Sequence, residues 1–245
     1  MRIDHRFYSW RVPFPLASDR ATARSGRILF VTWKPSGTSL SAIASGAEDG
    51  WIRRRARALA RMHRPVMIAF AHEMNGGWYG WGHQPSTFVR AWRHLVKVSR
   101  SAGGRNIVWV WSPNWKSVPE SSWNAMSRYY PGDRYVDWVS VSAYNRGPAS
   151  ETRRWRQLRE MVAPVYRLYG HRKAIMLRET GSVEHGGSKA RWILTAARDL
   201  KRRYPDVAAM VWFNAAVDGN DWRVDTSRSS LRAFRAIGQY PWFRA

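Results

Sequence analysis

The sequence predicts an α/β fold, a (β/α)8 TIM barrel, on three observations. Short apolar runs and amphipathic helical patterns alternate from one end of the chain to the other. Polar or aromatic residues stand where the apolar runs stop: Trp33, Glu73, Asn114, Tyr144, Glu179 and Trp212. In a barrel of parallel strands that face builds its site from separate loops. A chain of 245 residues also fits one such barrel, so a single domain over 1–245 is expected. The first strand is not followed by GxGxxG, which lowers the odds of a dinucleotide-binding sheet.

Ile3 to Trp10 reads as a weak first strand, followed by a loop holding Pro13 and Pro15. The run 27–33 is a clear second strand, ended by Lys34-Pro35-Ser36-Gly37, and a helix covers roughly 48–63. Pro65 to Phe70 is a continuous apolar run, the pattern of a buried strand. Ser86 is placed as the N-cap of a helix with Phe88, Trp92, Leu95, Val96 and Ser99 on one face, stopped by Gly103-Gly104. Strands follow at 106–111, ending in Ser112-Pro113-Asn114-Trp115, and at 135–142, ending in Ala143-Tyr144-Asn145. A helix over about 150–169 uses Trp155, Leu158, Met161, Val162 and Val165 as its stripe, with a kink expected at Pro164. The strand 173–178 leads into Glu179-Thr180-Gly181, a helix near 188–203 leads to a last strand at 207–214, and Leu231, Phe234 and Ile237 mark a closing helix. That makes seven strands where a closed barrel needs eight. Either one is unrecognised or the first β-strand/α-helix unit is lacking at the N-terminus.

Composition bounds the function less than it bounds the fold. There is no Cys, so no disulfide, and this leaves the compartment open. Residues 1–6 lack the apolar stretch of a secretory signal, and no apolar run is long enough to span a bilayer. The oddity is charge: 41 Lys and Arg against 17 acids, net +24, with all but six of the cations Arg. Such a surface attracts anionic polymers, including acidic polysaccharide and cell-wall polymers. The cations are spread along the whole chain, and the densest run, Arg53 to Arg57, reads as the solvated face of a helix whose other side carries Ile52, Ala56, Leu59 and Ala60. A nucleic-acid role would rest on charge alone and is not expected.

The stretch from His72 to Gly82 concentrates the chemistry. It presents a carboxylate, an imidazole, a carboxamide and three aromatic rings among glycines, which is more polar equipment than a core can use. His72-Glu73 begins like the zinc-protease pattern His-Glu-x-x-His, but position 76 is Gly, so the second ligand is missing and no metal is expected. Two carboxylates at one barrel mouth are the minimum equipment for glycoside hydrolysis. Glu73 stands beside Trp78, Tyr79 and Trp81, an apolar neighbourhood that favours the protonated acid. Glu179 follows Arg178, which would favour the carboxylate if it lies near, although strand alternation points neighbouring side chains apart. Tyr144 could donate a hydrogen bond to Glu179. Sixteen Trp exceed what a core of this size needs. Those at strand ends and in loops, Trp78, Trp81, Trp115 and Trp212, offer flat faces to sugar rings, whereas Trp92 and Trp155 fit core stripes. His72 is either a structural histidine or, from its place before Glu73, a substrate contact or a partner to the acid.

These blocks resemble glycoside hydrolase family 26, best known for β-mannanases. The resemblance rests on Val31-Thr32-Trp33-Lys34-Pro35, His72 through Gly82, Val110-Trp111-Ser112-Pro113-Asn114, Tyr130-Pro131-Gly132-Asp133 with Val136-Asp137-Trp138, Ala143-Tyr144-Asn145, Glu179-Thr180-Gly181 and Trp212-Phe213. It covers nearly the whole chain. It implies a (β/α)8 barrel that cleaves β-linked polysaccharide by double displacement with retention, Glu73 as acid/base and Glu179 as nucleophile. The two carboxyl groups should then stand about 5–5.5 Å apart. His72, Trp78, Tyr144 and Trp212 would line the subsite of the sugar under attack, with Trp33, Trp81, Asn114 and Trp115 as further substrate-binding candidates. No cofactor is implied, and a monomer is expected. The family usually has a strand and helix before the stretch resembling Ile3–Pro15, so a misassigned start codon is expected, and secretion or a cell-surface place is favoured by the resemblance. Arg178, and Gly80 where mannanases often have Pro, depart from the pattern and bear on substrate more than on chemistry.

The expected activity is a retaining endo-β-glycanase, with β-1,4-mannan as first substrate. The alternatives are another β-glycan (mixed-linkage glucan, β-1,3-xylan or an acidic bacterial exopolysaccharide) and a non-catalytic polysaccharide-binding barrel.

Overall fold

The computed structural model of the protein describes residues 2–150 and 152–244. The chain divides into two compact units, one up to Ser140 and one from Val141. The first holds β1 (Ile3–Ser9), α1 (Ala17–Arg24), β2 (Ile28–Lys34), α2 (Leu40–Ala44), α3 (Asp49–Ala60), β3 (Val66–Phe70), α4 (Pro85–Ser101), β4 (Ile107–Trp111) and the start of β5 (Trp138–Asn145). The second holds the rest of β5, then α5 (Leu158–Tyr169), β6 (Ala174–Ser182), α6 (Lys189–Arg203), β7 (Val207–Trp212), the short strands β8 (Ala216–Val217) and β9 (Asn220–Asp221), α7 (Arg228–Ile237) and α8 (Pro241–Arg244). The long strands follow one another in the sheet as β1 to β7, and the pairs β1–β2, β2–β3, β3–β4, β4–β5 and β6–β7 are all parallel. Among the described residues this sheet has seven strands, so the fold is a (β/α)8 barrel short of one unit.

The first unit is built on an aromatic layer between the outer faces of its strands and its helices. Trp33 of β2 stacks on Trp10 at 4.2 Å and meets the edge of Phe14 at 5.1 Å. Trp10 leads to Phe70 of β3, which touches Phe88 and Trp92 of α4, and Trp92 meets Trp109 of β4. β3 is buried at all five positions, as its unbroken apolar run requires of a strand covered on both faces. Much of the Trp surplus goes here: Trp10, Trp33, Trp92, Trp109 and Trp111 are all fully or almost fully buried. Trp33 therefore faces the helix layer. Trp33→Ala is expected to lower stability by about 3–5 kcal/mol, the cost of emptying an aromatic core position, read from a urea or thermal midpoint. Wild-type stability with weakened substrate binding would return Trp33 to the site.

Several boundaries differ from the sequence reading for identifiable reasons. α1 falls where a loop is expected, because only Asp19, Thr22 and Ala23 of it are buried and no large apolar stripe announces it. Its first turn is fixed by Asp19, which accepts hydrogen bonds from the Leu16 N–H and the Tyr8 hydroxyl, each 2.7 Å. α4 starts with Pro85 at its first position after Gln84, two residues ahead of the expected cap at Ser86. α5 starts at Leu158, where the Gln157 N–H donates to Glu160 at 2.9 Å, so Trp155 lies before the helix with its ring against Gly187. β6 continues through Glu179 to Ser182. The hairpin β8–β9 was marked in the sequence by Asp218-Gly219, whose φ values of +50° and +71° are those of the tight turn this dipeptide favours.

Candidate active site

In the first unit the site begins where β3 ends. Ala71 and Glu73 both adopt left-handed backbone, φ +46° and +54°, a conformation that costs non-glycine residues about 1–3 kcal/mol. It is held by the Ala71 N–H on Trp33 O at 3.1 Å and the Glu73 N–H on Ser112 O at 2.7 Å. These two bonds tie the turn to the ends of β2 and β4 and aim Glu73.

Glu73 is 9% exposed, and its Oε2 accepts the indole N–H of Trp78 at 2.8 Å. Gly76 makes that contact possible, because a Cβ there would lie 2.3 Å from the Trp78 ring. His72 is buried, with Nε2 3.1 Å from the Tyr79 hydroxyl. Its carbonyl accepts the Trp81 N–H at 2.8 Å, and Trp81 stacks on Tyr79 at 4.4 Å. Trp81 is thus buried behind His72 and props it, leaving Trp78, 48% exposed, as the open ring of this loop.

Asn75 plays a part that the sequence reading did not assign. Fully buried, it donates to Asn114 O (3.0 Å) and Ser117 Oγ (3.2 Å) and accepts the Asn114 N–H (2.8 Å). Its own carbonyl accepts the Val118 N–H and the Asn124 amide. One carboxamide therefore clasps the loop after β3 to the loop after β4. Asn114 belongs to this clasp, and its side chain donates to Lys116 O at 2.9 Å, while Trp115 beside it is half-buried.

In the second unit the chemistry gathers on β6. Arg178, wholly buried, donates to both oxygens of Glu179: Nη1 to Oε1 at 3.0 Å and Nη2 to Oε2 at 2.8 Å. Nη2 also donates to Ser142 Oγ at 2.7 Å, and the Tyr144 hydroxyl donates to Glu179 Oε2 at 2.9 Å. Adjacent strand residues ordinarily point apart. Here the pairing with β7 shifts register between Leu177 and Thr180, an irregularity that brings Arg178 and Glu179 together. A bidentate guanidinium favours the ionised carboxylate and fixes its plane.

Tyr144 is backed by Trp222 at 4.7 Å and Phe213 at 5.9 Å. Trp212, expected as a sugar platform, is half-buried against Trp192 of α6 and Phe234 of α7, and its N–H donates to Trp222 O at 2.7 Å. It supports Trp222 from behind. Trp222 was missed, although the Asp218-Gly219 hairpin that carries it to Tyr144 was written in the sequence.

Among the described residues no three His, Cys, Asp or Glu side chains gather as metal ligands, and no helix is long and apolar enough to cross a membrane.

The sequence model of glycosyl hydrolase family 26 matches residues 40–234, spanning both glutamates and the loops just described. The chain belongs to glycosyl hydrolase family 26. Endoglucanase H of Acetivibrio thermocellus is 33% identical over 248 residues, covering 96% of this chain and 27% of that protein. Mannan endo-1,4-beta-mannosidase A and B of Caldalkalibacillus mannanilyticus is 28% identical over 109 residues, 40% of this chain and 20% of that protein. This family 26 chain thus spans about a quarter or less of the length of these two relatives. Among solved structures, the catalytic domain of an endo-beta-1,4-mannanase from Bacillus sp. JAMB-750 superposes with a TM-score of 0.68 at 19% identity, over 92% of this chain and 68% of that one. At that identity the likeness is one of fold.

Proposed function

We propose that this family 26 chain is a retaining endo-β-glycanase in which Glu73 is the acid/base and Glu179 the nucleophile. The observation that carries the reading is the contrast between the two carboxylates. Glu179 sits on a buried guanidinium and a tyrosine hydroxyl, which hold it ionised and oriented. Glu73 is aimed by the turn after β3 and accepts a neutral indole N–H beside aromatic rings. Two carboxylates in such different surroundings, one on a cation and one on a neutral donor, suit the two roles this chemistry needs. In the first step Glu179 attacks the anomeric carbon while Glu73 gives its proton to the departing glycosidic oxygen, leaving a glycosyl ester on Glu179. In the second, Glu73 takes a proton from water, the water oxygen attacks the anomeric carbon, and the Glu179 carboxylate leaves.

β-1,4-Mannan is the first candidate substrate. The names of the relatives divide among mannan, glucan and β-1,3-xylan, and an alignment that runs along nearly all of this chain is to an endoglucanase, so β-glucan and β-1,3-xylan come next. Charge supports a further reading, an acidic glycan. The helices α6 and α7 pack together and expose Arg191, Arg198, Lys201, Arg202, Arg228, Arg232 and Arg235. Their one acid, Asp199, is buried against Arg159 and Arg203. Cations without exposed acids among them attract a polyanion, and salt weakens that attraction.

The test is release of reducing ends by wild type and Glu179→Ala from mannan, mixed-linkage glucan, β-1,3-xylan and a polyuronate, at low and high salt. Activity on one neutral glycan that is salt-insensitive and vanishes in the variant supports the first reading. Salt-sensitive cleavage of the polyuronate supports the acidic one. Activity that survives in Glu179→Ala removes Glu179 from the mechanism.

A further inference from the structure

The first unit carries a second open indole away from Glu73. Of the sixteen Trp, Trp78 and Trp123 are the two that stand exposed, each at 48%, and both belong to the pair of loops clasped by Asn75. Single exposed apolar residues are ordinary on any protein. Two tryptophans on one clasped loop pair, in a unit that buries so many of its others, are not scattered.

Trp123 lies in a short 3-10 turn, Ser122–Asn124, and its backbone is fixed from the next residue. Asn124 is fully buried, donates to Asn75 O and to Pro119 O at 3.0 Å each, and accepts the Tyr129 hydroxyl at 2.6 Å. The Trp123 ring meets the His83 ring edge to face, with centroids 5.5 Å apart and planes at 80°. His83 is itself pinned: φ is +60°, Nε2 donates to Val118 O at 2.6 Å, and the ring lies over Gly77, next to Trp78. The series Trp78–Gly77–His83–Trp123 therefore connects the indole on Glu73 to the second open indole. All of it sits on loops that follow the C-terminal ends of strands, where barrels hold their substrates. An indole kept in place yet left half in water gains stability only when something flat and partly apolar covers it.

We propose that Trp123, braced by His83, is a distal pyranose-binding subsite for a β-glycan chain whose reacting bond lies at Glu73. The apolar C–H face of a sugar ring would stack on the indole beyond the ring held at Trp78, so the subsite acts on polymer and not on short substrates. This rests on the glycanase reading above.

The experiment compares wild type, Trp123→Ala and Trp123→Phe on soluble polymer and on a chromogenic aryl β-disaccharide. It also measures their retardation in gels containing the polymer. For Trp123→Ala the expected result is a rise in polymer KM of about tenfold, the scale of losing one stacked aromatic. The ratio of polymer to disaccharide kcat/KM falls by the same factor, and Trp123→Phe restores most of it. A ratio within twofold of wild type overturns the proposal, whether or not the thermal midpoint drops, because a structural role would weaken both substrates alike. If wild type cleaves no glycan, the glycanase reading fails by itself. Gel retardation then decides the subsite: lost in Trp123→Ala it stands, retained it falls.

Discussion

Glu179→Ala is expected to lower kcat on every substrate by roughly 10⁴-fold or more, the scale of deleting a nucleophile, with the fold intact by circular dichroism. The loss should not depend on the leaving group, because without the Glu179 carboxylate no glycosyl ester forms. Glu73→Ala should behave differently. On polymer, where the departing sugar needs a proton, the loss should reach about 10²–10⁴-fold. On a dinitrophenyl glycoside, whose leaving group needs none, the first step should survive and the covalent ester should accumulate. A burst of dinitrophenol from Glu73→Ala, and none from Glu179→Ala, is the checkable signature. Equal losses on both substrates for both variants would remove the division of labour.

The second large effect is expected at Arg178. Its guanidinium is fully buried on the Glu179 carboxylate, with Ser142 as a further acceptor. Arg178→Met strands a buried carboxylate without its charge partner, and breaking such a pair from one side costs about 3–5 kcal/mol. The added variant Glu179→Gln removes the stranded charge, so Arg178→Met/Glu179→Gln should recover a large part of that loss. Arg178→Lys should fall between wild type and Arg178→Met in both stability and kcat, because an ammonium cannot make the two parallel bonds. Denaturant midpoints of wild type, Arg178→Met, Glu179→Gln and the double variant give the cycle. A double variant no more stable than Arg178→Met would mean that the two side chains are not coupled.

What could be read from sequence alone follows a physical division. The strands were legible because unbroken apolar runs such as 66–70 have few other uses, and the loop at Glu73 because so many polar and aromatic groups crowd one strand end. The direction of single side chains was not. Trp33 and Trp212 stand at strand ends like Glu73, but alternation turns them to the helix layer, where Trp10, Trp192 and Phe234 meet them. Arg178 was expected to point away from Glu179 by the same alternation, and a register shift invisible to periodicity reversed that. Asn75 was quoted in the motif without a role, since a clasp is defined by partners some forty residues on. Trp222 had a signal, the Asp218-Gly219 turn, that went unused because the hairpin strands are only two residues each.

The most direct test of the central claim is azide rescue followed by product stereochemistry. Glu179→Ala and Glu73→Ala would each be given an activated aryl β-glycoside with sodium azide, and the glycosyl azides read by NMR. An α-glycosyl azide is expected from Glu179→Ala, where azide replaces the missing nucleophile in a single inversion. A β-glycosyl azide is expected from Glu73→Ala, where azide opens the ester on Glu179 in a second inversion. A β-azide from Glu179→Ala, or an α-azide from Glu73→Ala, would contradict the assignment of nucleophile and acid/base.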